Sequence, residues 1–284
     1  MTKFLVVGCG DLGGEVAKLL NASGHTVTGV RVSDKLLSNG MSCIQADVTQ
    51  LASLKALENI SPNIIIYCVA ANAQSDASYQ AHYVEGLNNV LTTQKNNHHL
   101  QHVFFISSTR VYGQVANQLL DETVAAMPGD FGGKRLLEAE ALLKSLPCSA
   151  TSIRLSGIYG PGRLYMVNLA KQPGRWPASN QWTNRVHRDD AARFVAFLSE
   201  KVIAGKKVED CYIATDDMPV MQYDVLYWIA SKLNVAVPNK NTVDITRGKL
   251  LSNKRLRASG FQLTYPNYKV GYSNILEREV LNNV

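Results

Sequence analysis

Apolar residues in the first half of the chain fall into short, nearly unbroken runs. Phe4 to Val7, Thr26 to Arg31, Ser42 to Ala46, Asn63 to Ala71, His102 to Ser108 and Thr151 to Gly157 each read as a strand. NIIIYCVAA and HVFFISS are apolar at consecutive positions, the pattern of strands covered on both faces of a parallel sheet. Between the runs the period lengthens. Leu12, Val16, Leu19 and Leu20 recur at helical spacing, and Gly24 stands where a C-cap would. Further helices are expected at about 50–59, 76–97 and 132–146. This alternation predicts an α/β protein built on a doubly wound, parallel-sheet Rossmann fold.

After Gly157 the pattern becomes irregular. YGPGR and QPGRWPASNQW are rich in glycine, proline and tryptophan and read as loops. A helix is expected from about Asp189 to Ile203, a short strand over Cys211 to Ala214 and a helix from Val220 to Leu233. The expected organisation is a dinucleotide-binding domain over residues 1–158 and a smaller C-terminal substrate-binding unit over 159–284. About 184–214 of the latter is expected to pack back on the first domain.

Composition narrows the function. The 284 residues are 46% apolar and 18% charged, with a formal charge of +6, a balance that suits an anionic ligand. Lysine and arginine are spread along the chain without an aromatic-rich basic stripe, which argues against nucleic acid as partner. No apolar stretch approaches the roughly 18 residues of a membrane span, and the Phe4 to Val7 run is too short for a signal peptide. The cytoplasm is expected. Five cysteines, odd in number and widely spaced, read as free thiols. No histidine has ligand-like spacing to a cysteine, so no metal site is expected.

The strongest chemical motif is VVGCGDLGG, with Gly8-x-Gly10-x-x-Gly13 joining the first strand to the first helix. Gly8 makes the tight turn, Gly10 lets backbone approach a pyrophosphate, and Gly13 lets helix and strand pack closely. The helix N-terminus, with the amides of Asp11 and Leu12, then faces the phosphates. At the end of the second strand an acid would favour NAD and an arginine NADP. The residue there is Arg31, and the first acid, Asp34, comes three positions later. NADP is expected, with NAD as the second option. Asp47 and Val48 follow the third strand, where a carboxylate can accept from the adenine amino group. Ala70 and Ala71 end the fourth strand and leave room for the cofactor.

These motifs, with ISSTRVYG, YVEGLNNVL, LSGIYGPG and NRVHRDDAA, resemble the short-chain dehydrogenase/reductase superfamily in its extended branch of NAD(P)-dependent epimerases and dehydratases. The resemblance implies that Ser108 binds the reacting oxygen and that Lys134 binds the nicotinamide ribose. It also implies a tyrosine four residues before that lysine as acid and base. The position holds Asp130, followed by Phe131. Three options stay open: Asp130 carries the proton, Tyr112 or Tyr159 reaches in from a neighbouring loop, or proton transfer is lost. The competing role of Asp130 is a helix N-cap.

Thr109 and Arg110 stand where the branch's dehydratases carry an acidic pair, which disfavours dehydration. Tyr112, Tyr159 and Arg175 are the expected substrate contacts. Arginine and tryptophan near them suit an anionic or nucleotide-linked small molecule, though surface arginines and a core tryptophan would give the same letters. Relatives pair through the helices at about 76–97 and 132–146, so the resemblance also implies a homodimer. Two functions follow: an NAD(P)-dependent oxidoreductase or epimerase acting on a small carbonyl or sugar-nucleotide substrate, and a non-catalytic NADP(H)-binding sensor or scaffold.

Overall fold

A computed structural model describes residues 1–33, 41–113, 119–237 and 247–281; Asp34 lies outside them. Strands β1 (Lys3–Val7), β2 (Thr26–Arg31), β3 (Ser42–Gln45), β4 (Ile64–Tyr67) and β5 (His102–Ser108) form one sheet with Ser149–Leu155 and Cys211–Ala214. The seven strands run in the order Cys211–Ala214, Ser149–Leu155, β5, β4, β1, β2, β3. β1 pairs in parallel with β2 on one side and β4 on the other, setting Val7 opposite both Val30 and Tyr67. The chain therefore winds outward from β1 through β3 and then restarts at β4 in the other direction. Ligands of such sheets bind outside the carboxyl ends of the strands at that reversal. Leu5, Val6, Val7 and all of β4 are fully buried, as their unbroken apolar runs require.

Helix α1 (Asp11–Ala22) buries Leu12, Val16, Ala17 and Leu20, the face its period predicts. The segment Leu51–Asn59 is a 3-10 helix rather than an α-helix. Leu54 and Leu57 stand one three-residue turn apart, whereas Leu51 is exposed. Leu54 and Leu57 lie on the buried side. The helix predicted at 76–97 runs from Asp76 to Thr93 and contains a π turn at Gln80–Glu85. Phe131–Leu142 is α-helical and tightens to a 3-10 turn at Leu143–Ser145.

The chain divides into two compact units. The first comprises Met1–Gly113, Ala125–Arg154 and Ala191–Tyr212; the second comprises Gln114–Val124, Leu155–Asp190 and Ile213–Val284. At the heart of the first unit is a buried ion pair. Arg154 donates from Nε and Nη2 to the two carboxylate oxygens of Glu140, at 3.0 and 2.6 Å. Ser107 Oγ donates to the same carboxylate at 2.6 Å, and Arg154 Nη1 donates to the Tyr112 hydroxyl at 2.7 Å.

In the second unit Gly157–Tyr159 pairs in parallel with Arg185–His187. The Gln181–Thr183 strand lies between Val220–Met221 and Arg247–Gly248. Its apolar core gathers Tyr159, Val167, Val225, Ile229, Tyr268 and Tyr272. Asp216 is nearly sealed within this unit. Its backbone N–H donates to the Arg185 carbonyl at 2.7 Å, its Oδ1 accepts from Met218 N at 3.1 Å, and its Oδ2 has no hydrogen-bond partner among the described residues.

Two predictions follow from these buried groups. Arg154→Met leaves the Glu140 charge buried without its cation, so urea unfolding should show a loss of about 3–5 kcal/mol. Burial pushes the Asp216 carboxyl from 3.8 to about 7, although Arg185 pulls the other way. A raised acid favours the folded state in its protonated form, so its contribution is complete at low pH and erodes as pH rises from about 4 to 7. Asp216→Asn should therefore be more stable than the parent above neutrality, with the advantage vanishing near pH 4 in paired denaturation curves.

Candidate active site

The glycine loop is shaped by three close approaches. Gly8 has φ +86°, and a Cβ there would lie 2.6 Å from the Cys68 carbonyl at the end of β4. A Cβ on Gly13 would stand 2.4 Å from Gly8 O. A Cβ on Gly10 would meet nothing within 4 Å among the described residues, so that side of the turn is open there. The N–H groups of Gly8 and Cys9 both donate to the Val30 carbonyl at 2.9 Å, which ties the loop to the last turn of β2. Helix α1 then begins at Asp11 with no side-chain cap. Its first-turn amides have no intrahelical acceptor and face outward as an anion site.

Arg31 follows Val30 directly. Its Nε is buried and has no hydrogen-bond partner among the described residues. Its charge is felt at the Cys9 thiol, which burial and Cys43 nevertheless push up to about 11. A cation with an unsatisfied donor thus stands beside the open loop. These residues fit a dinucleotide: backbone amides for its pyrophosphate, and a guanidinium at the end of β2.

The neighbouring residues shape the rest of this edge. Asp47 Oδ1 accepts from Thr49 N and Thr49 Oγ1 at 2.9 and 2.8 Å, and Asn89 Nδ2 donates to the Val48 carbonyl at 2.9 Å. Both contacts hold the backbone after β3 in place. The strand ends at Tyr67, so Ala70 and Ala71 lie in the loop beyond β4 rather than at its end; Ala70 is exposed and Ala71 half-buried.

Ser108 ends β5, and its Oγ accepts from the Arg110 amide at 3.2 Å. Asp130 is the N-cap of the 131–142 helix, accepting from Gly133 N at 2.9 Å. The Arg110 Nε donates to both of its oxygens, at 3.0 and 2.9 Å. Partial burial works against ionisation, but the Gly133 amide and Arg110 outweigh it and hold the carboxyl below its ordinary range. Lys134 is exposed one turn later, with its amide on the Asp130 carbonyl at 3.2 Å. One string of hydrogen bonds therefore joins Ser108, Arg110, Asp130 and Lys134.

The two loop tyrosines are sequestered. Tyr112 is fully buried in the first unit, with Arg154 donating to its hydroxyl and lying 5.0 Å from its ring centre. Tyr159 belongs to the core of the second unit, its ring 4.6 Å from Tyr272 and 5.2 Å from His187. Burial lifts its phenol far above the usual range. Arg175 is on the surface of that unit and donates to Gln172 Oε1 at 3.0 Å.

A cluster around Arg110 escaped the sequence reading. Arg110 Nη1 donates to Gln74 Oε1 at 2.9 Å and to the Tyr79 hydroxyl at 2.7 Å, from residues more than thirty positions away. The one local trace is Gly132-Gly133. A Cβ on Gly132 would meet the Arg110 guanidinium at 2.5 Å, and one on Gly133 would meet the Arg110 carbonyl at 2.6 Å.

Comparison with known proteins gives the family and the fold. The sequence model of the NAD dependent epimerase/dehydratase family matches residues 4–214. The chain belongs to that family. A solved structure from Methylobacillus flagellatus, described only as an NAD-dependent epimerase/dehydratase, is 46% identical, with 98% of each chain covered and a TM-score of 0.90. Protein YeeZ of Escherichia coli K12 is 27% identical over 94% of this chain and 97% of its own. WbmG of Bordetella bronchiseptica, solved with NAD and UDP, shares the fold at TM-score 0.78 with 13% identity, over 96% of this chain and 94% of that one. The family is NAD-dependent, and the seven-stranded Rossmann sheet is its fold.

The glycine loop yields a direct test. Gly13→Ala forces a Cβ onto Gly8 O, so the loop must open. Calorimetry should show dinucleotide affinity reduced by at least about tenfold.

Proposed function

We propose that this protein is an NADP(H)-preferring oxidoreductase or epimerase that works on a carbonyl or hydroxyl of a nucleotide-linked sugar. The observation that carries the reading is the open glycine loop with the partnerless Arg31 Nε beside it. An arginine fork suits a 2′-phosphate better than a bare ribose hydroxyl. The sugar-nucleotide part is supported by family membership and by the UDP found with NAD in the WbmG fold relative.

The bound dinucleotide supplies reversible hydride exchange at its nicotinamide ring. The chain's residues do the rest. The amides opening α1 hold the pyrophosphate, and Arg31 holds the adenosine end. Lys134, exposed on the second turn of its helix, reaches the nicotinamide ribose. Ser108 Oγ fixes the reacting oxygen of the substrate. Thr109 is buried and Arg110 is pinned by Asp130, so neither position offers the acid and base that elimination of water needs. Simple redox chemistry or epimerisation is favoured over dehydration. The five free thiols suit a reducing compartment, and we place the protein in the cytoplasm.

A second reading is a dinucleotide sensor without turnover. It is favoured by one observation: Asp130 is a capped and ion-paired carboxylate, while Tyr112 and Tyr159 are sealed in cores.

Calorimetry with each coenzyme, followed by dinucleotide absorbance with a panel of UDP-hexoses, separates the readings. The parent should bind NADP more tightly than NAD. Arg31→Ser should weaken NADP by about tenfold or more while leaving NAD nearly unchanged. An equal loss for both would remove Arg31 from 2′-phosphate recognition. Absence of binding to either coenzyme would sink both readings, and binding without turnover would leave the sensor.

A further inference from the structure

Taking the enzymatic reading as its basis, we infer that Tyr79 supplies the proton that the family's missing tyrosine would have supplied, with Arg110 as the cation that positions it. The phenol of Tyr79 comes from the helix starting at Asp76, far in sequence from the motif it replaces. In space it adjoins that motif. Its ring stands edge-on to Phe131 at 5.4 Å between centres, one residue past the vacant tyrosine position. Its hydroxyl accepts from Arg110 Nη1 at 2.7 Å and donates to Gln74 Oε1 at 3.3 Å. The Arg110 guanidinium also lies 4.9 Å from the Tyr79 ring centre.

Arg110 links this phenol to the substrate-oxygen site. Its backbone amide is hydrogen-bonded to Ser108 Oγ at 3.2 Å, and its side chain is anchored on Asp130. The two departures at Asp130 and Arg110 and the two glycines that follow then belong to one construction. Asp130 replaces the tyrosine and fixes the guanidinium. Arg110 replaces an acid. Gly132 and Gly133 carry no Cβ because the guanidinium and the Arg110 carbonyl occupy that space.

Tyr79 is itself buried, so what singles it out from the other tyrosines described in the first unit is the bond its hydroxyl accepts from the Arg110 guanidinium. Tyr67 is fully buried and donates to the His82 carbonyl. Tyr112 is held by Arg154, and Tyr212, also buried, accepts from the Glu209 amide. Tyr83 is half-buried, its phenol raised by burial against a hydrogen bond from Ala71.

In the reductive direction the carbonyl carbon of the substrate takes a hydride from the reduced nicotinamide dinucleotide. The carbonyl π pair moves to its oxygen and forms the new O–H bond with the Tyr79 proton. The Tyr79 phenolate, balanced by Arg110, regains a proton from water, and the oxidised dinucleotide is released. In the oxidative direction each transfer reverses.

The test uses the full chain loaded with dinucleotide and a UDP-hexose that the parent turns over. Tyr79→Phe keeps the ring against Phe131, so it should retain the melting temperature and dinucleotide affinity. It should lose at least about a hundredfold in kcat with KM little moved, together with the pH-profile limb that reports the proton donor. Arg110→Gln removes the donor to the Tyr79 hydroxyl and should lower kcat with KM little moved. Independently of turnover, crystals with oxidised dinucleotide and the UDP-hexose should place Tyr79 Oη within hydrogen-bond reach of the sugar hydroxyl that Ser108 contacts. Turnover by Tyr79→Phe within about twofold of the parent, or another side chain at that hydroxyl, overturns the assignment and leaves the proposed function standing. A parent that binds dinucleotide but converts no UDP-hexose overturns both.

Discussion

One carboxylate organises the working end of the first unit. Glu140 receives two hydrogen bonds from Arg154 and one from Ser107, and Arg154 passes a fourth to Tyr112. These contacts join the Phe131–Leu142 helix, the Ser149–Leu155 strand and both ends of the Ser107 to Tyr112 loop. Buried charges of this kind are costly to desolvate, and the cost is offset only when every donor and acceptor is matched. Here the matching extends to the residue beside Ser108. The residue beside the candidate catalytic hydroxyl is therefore held by this buried carboxylate.

A second set of contacts works from the opposite side of the same loop. Arg110 is bound by Asp130, Gln74 and Tyr79, so the stretch Ser107 to Tyr112 is gripped from within by Glu140 and from without by Asp130. Rigid placement matters because a reacting oxygen must be fixed to within a fraction of an ångström for acid–base chemistry. The glycine loop is held in a comparable way, with two amides on one carbonyl of β2. In both places backbone geometry does what a larger side chain would obstruct.

Much of this was legible in the sequence because it depends on local pattern. The strands of the sheet are covered on both faces, and their letters say so. The glycines at 8, 10 and 13 are dictated by contacts within one strand–turn–helix. Asp130 as a cap needs only its own helix. The rest depends on distant partners. Nothing near Arg110 announces Gln74 or Tyr79, which lie thirty-six and thirty-one residues away. Nothing near Tyr112 announces Arg154, forty-two residues on. Tyr112 and Tyr159 read as loop residues because glycines follow them, yet each is packed inside its unit.

The π turn at Gln80–Glu85 has a consequence of its own. Such a turn accommodates one more residue than regular winding, and each residue of an α-helix advances the azimuth by about 100°. Tyr79 precedes the turn, while Gly86, which abuts the Tyr67 hydroxyl, and Asn89, which holds Val48, come after it. Shortening the segment by a single amino acid would restore uniform coiling and rotate its two halves against each other. The phenol and the contacts to Tyr67 and Val48 could not then both keep their present bearings. An inserted residue thus sets the phase between two halves of one helix, and a gap at that place in a related chain would mark a different arrangement of the same parts.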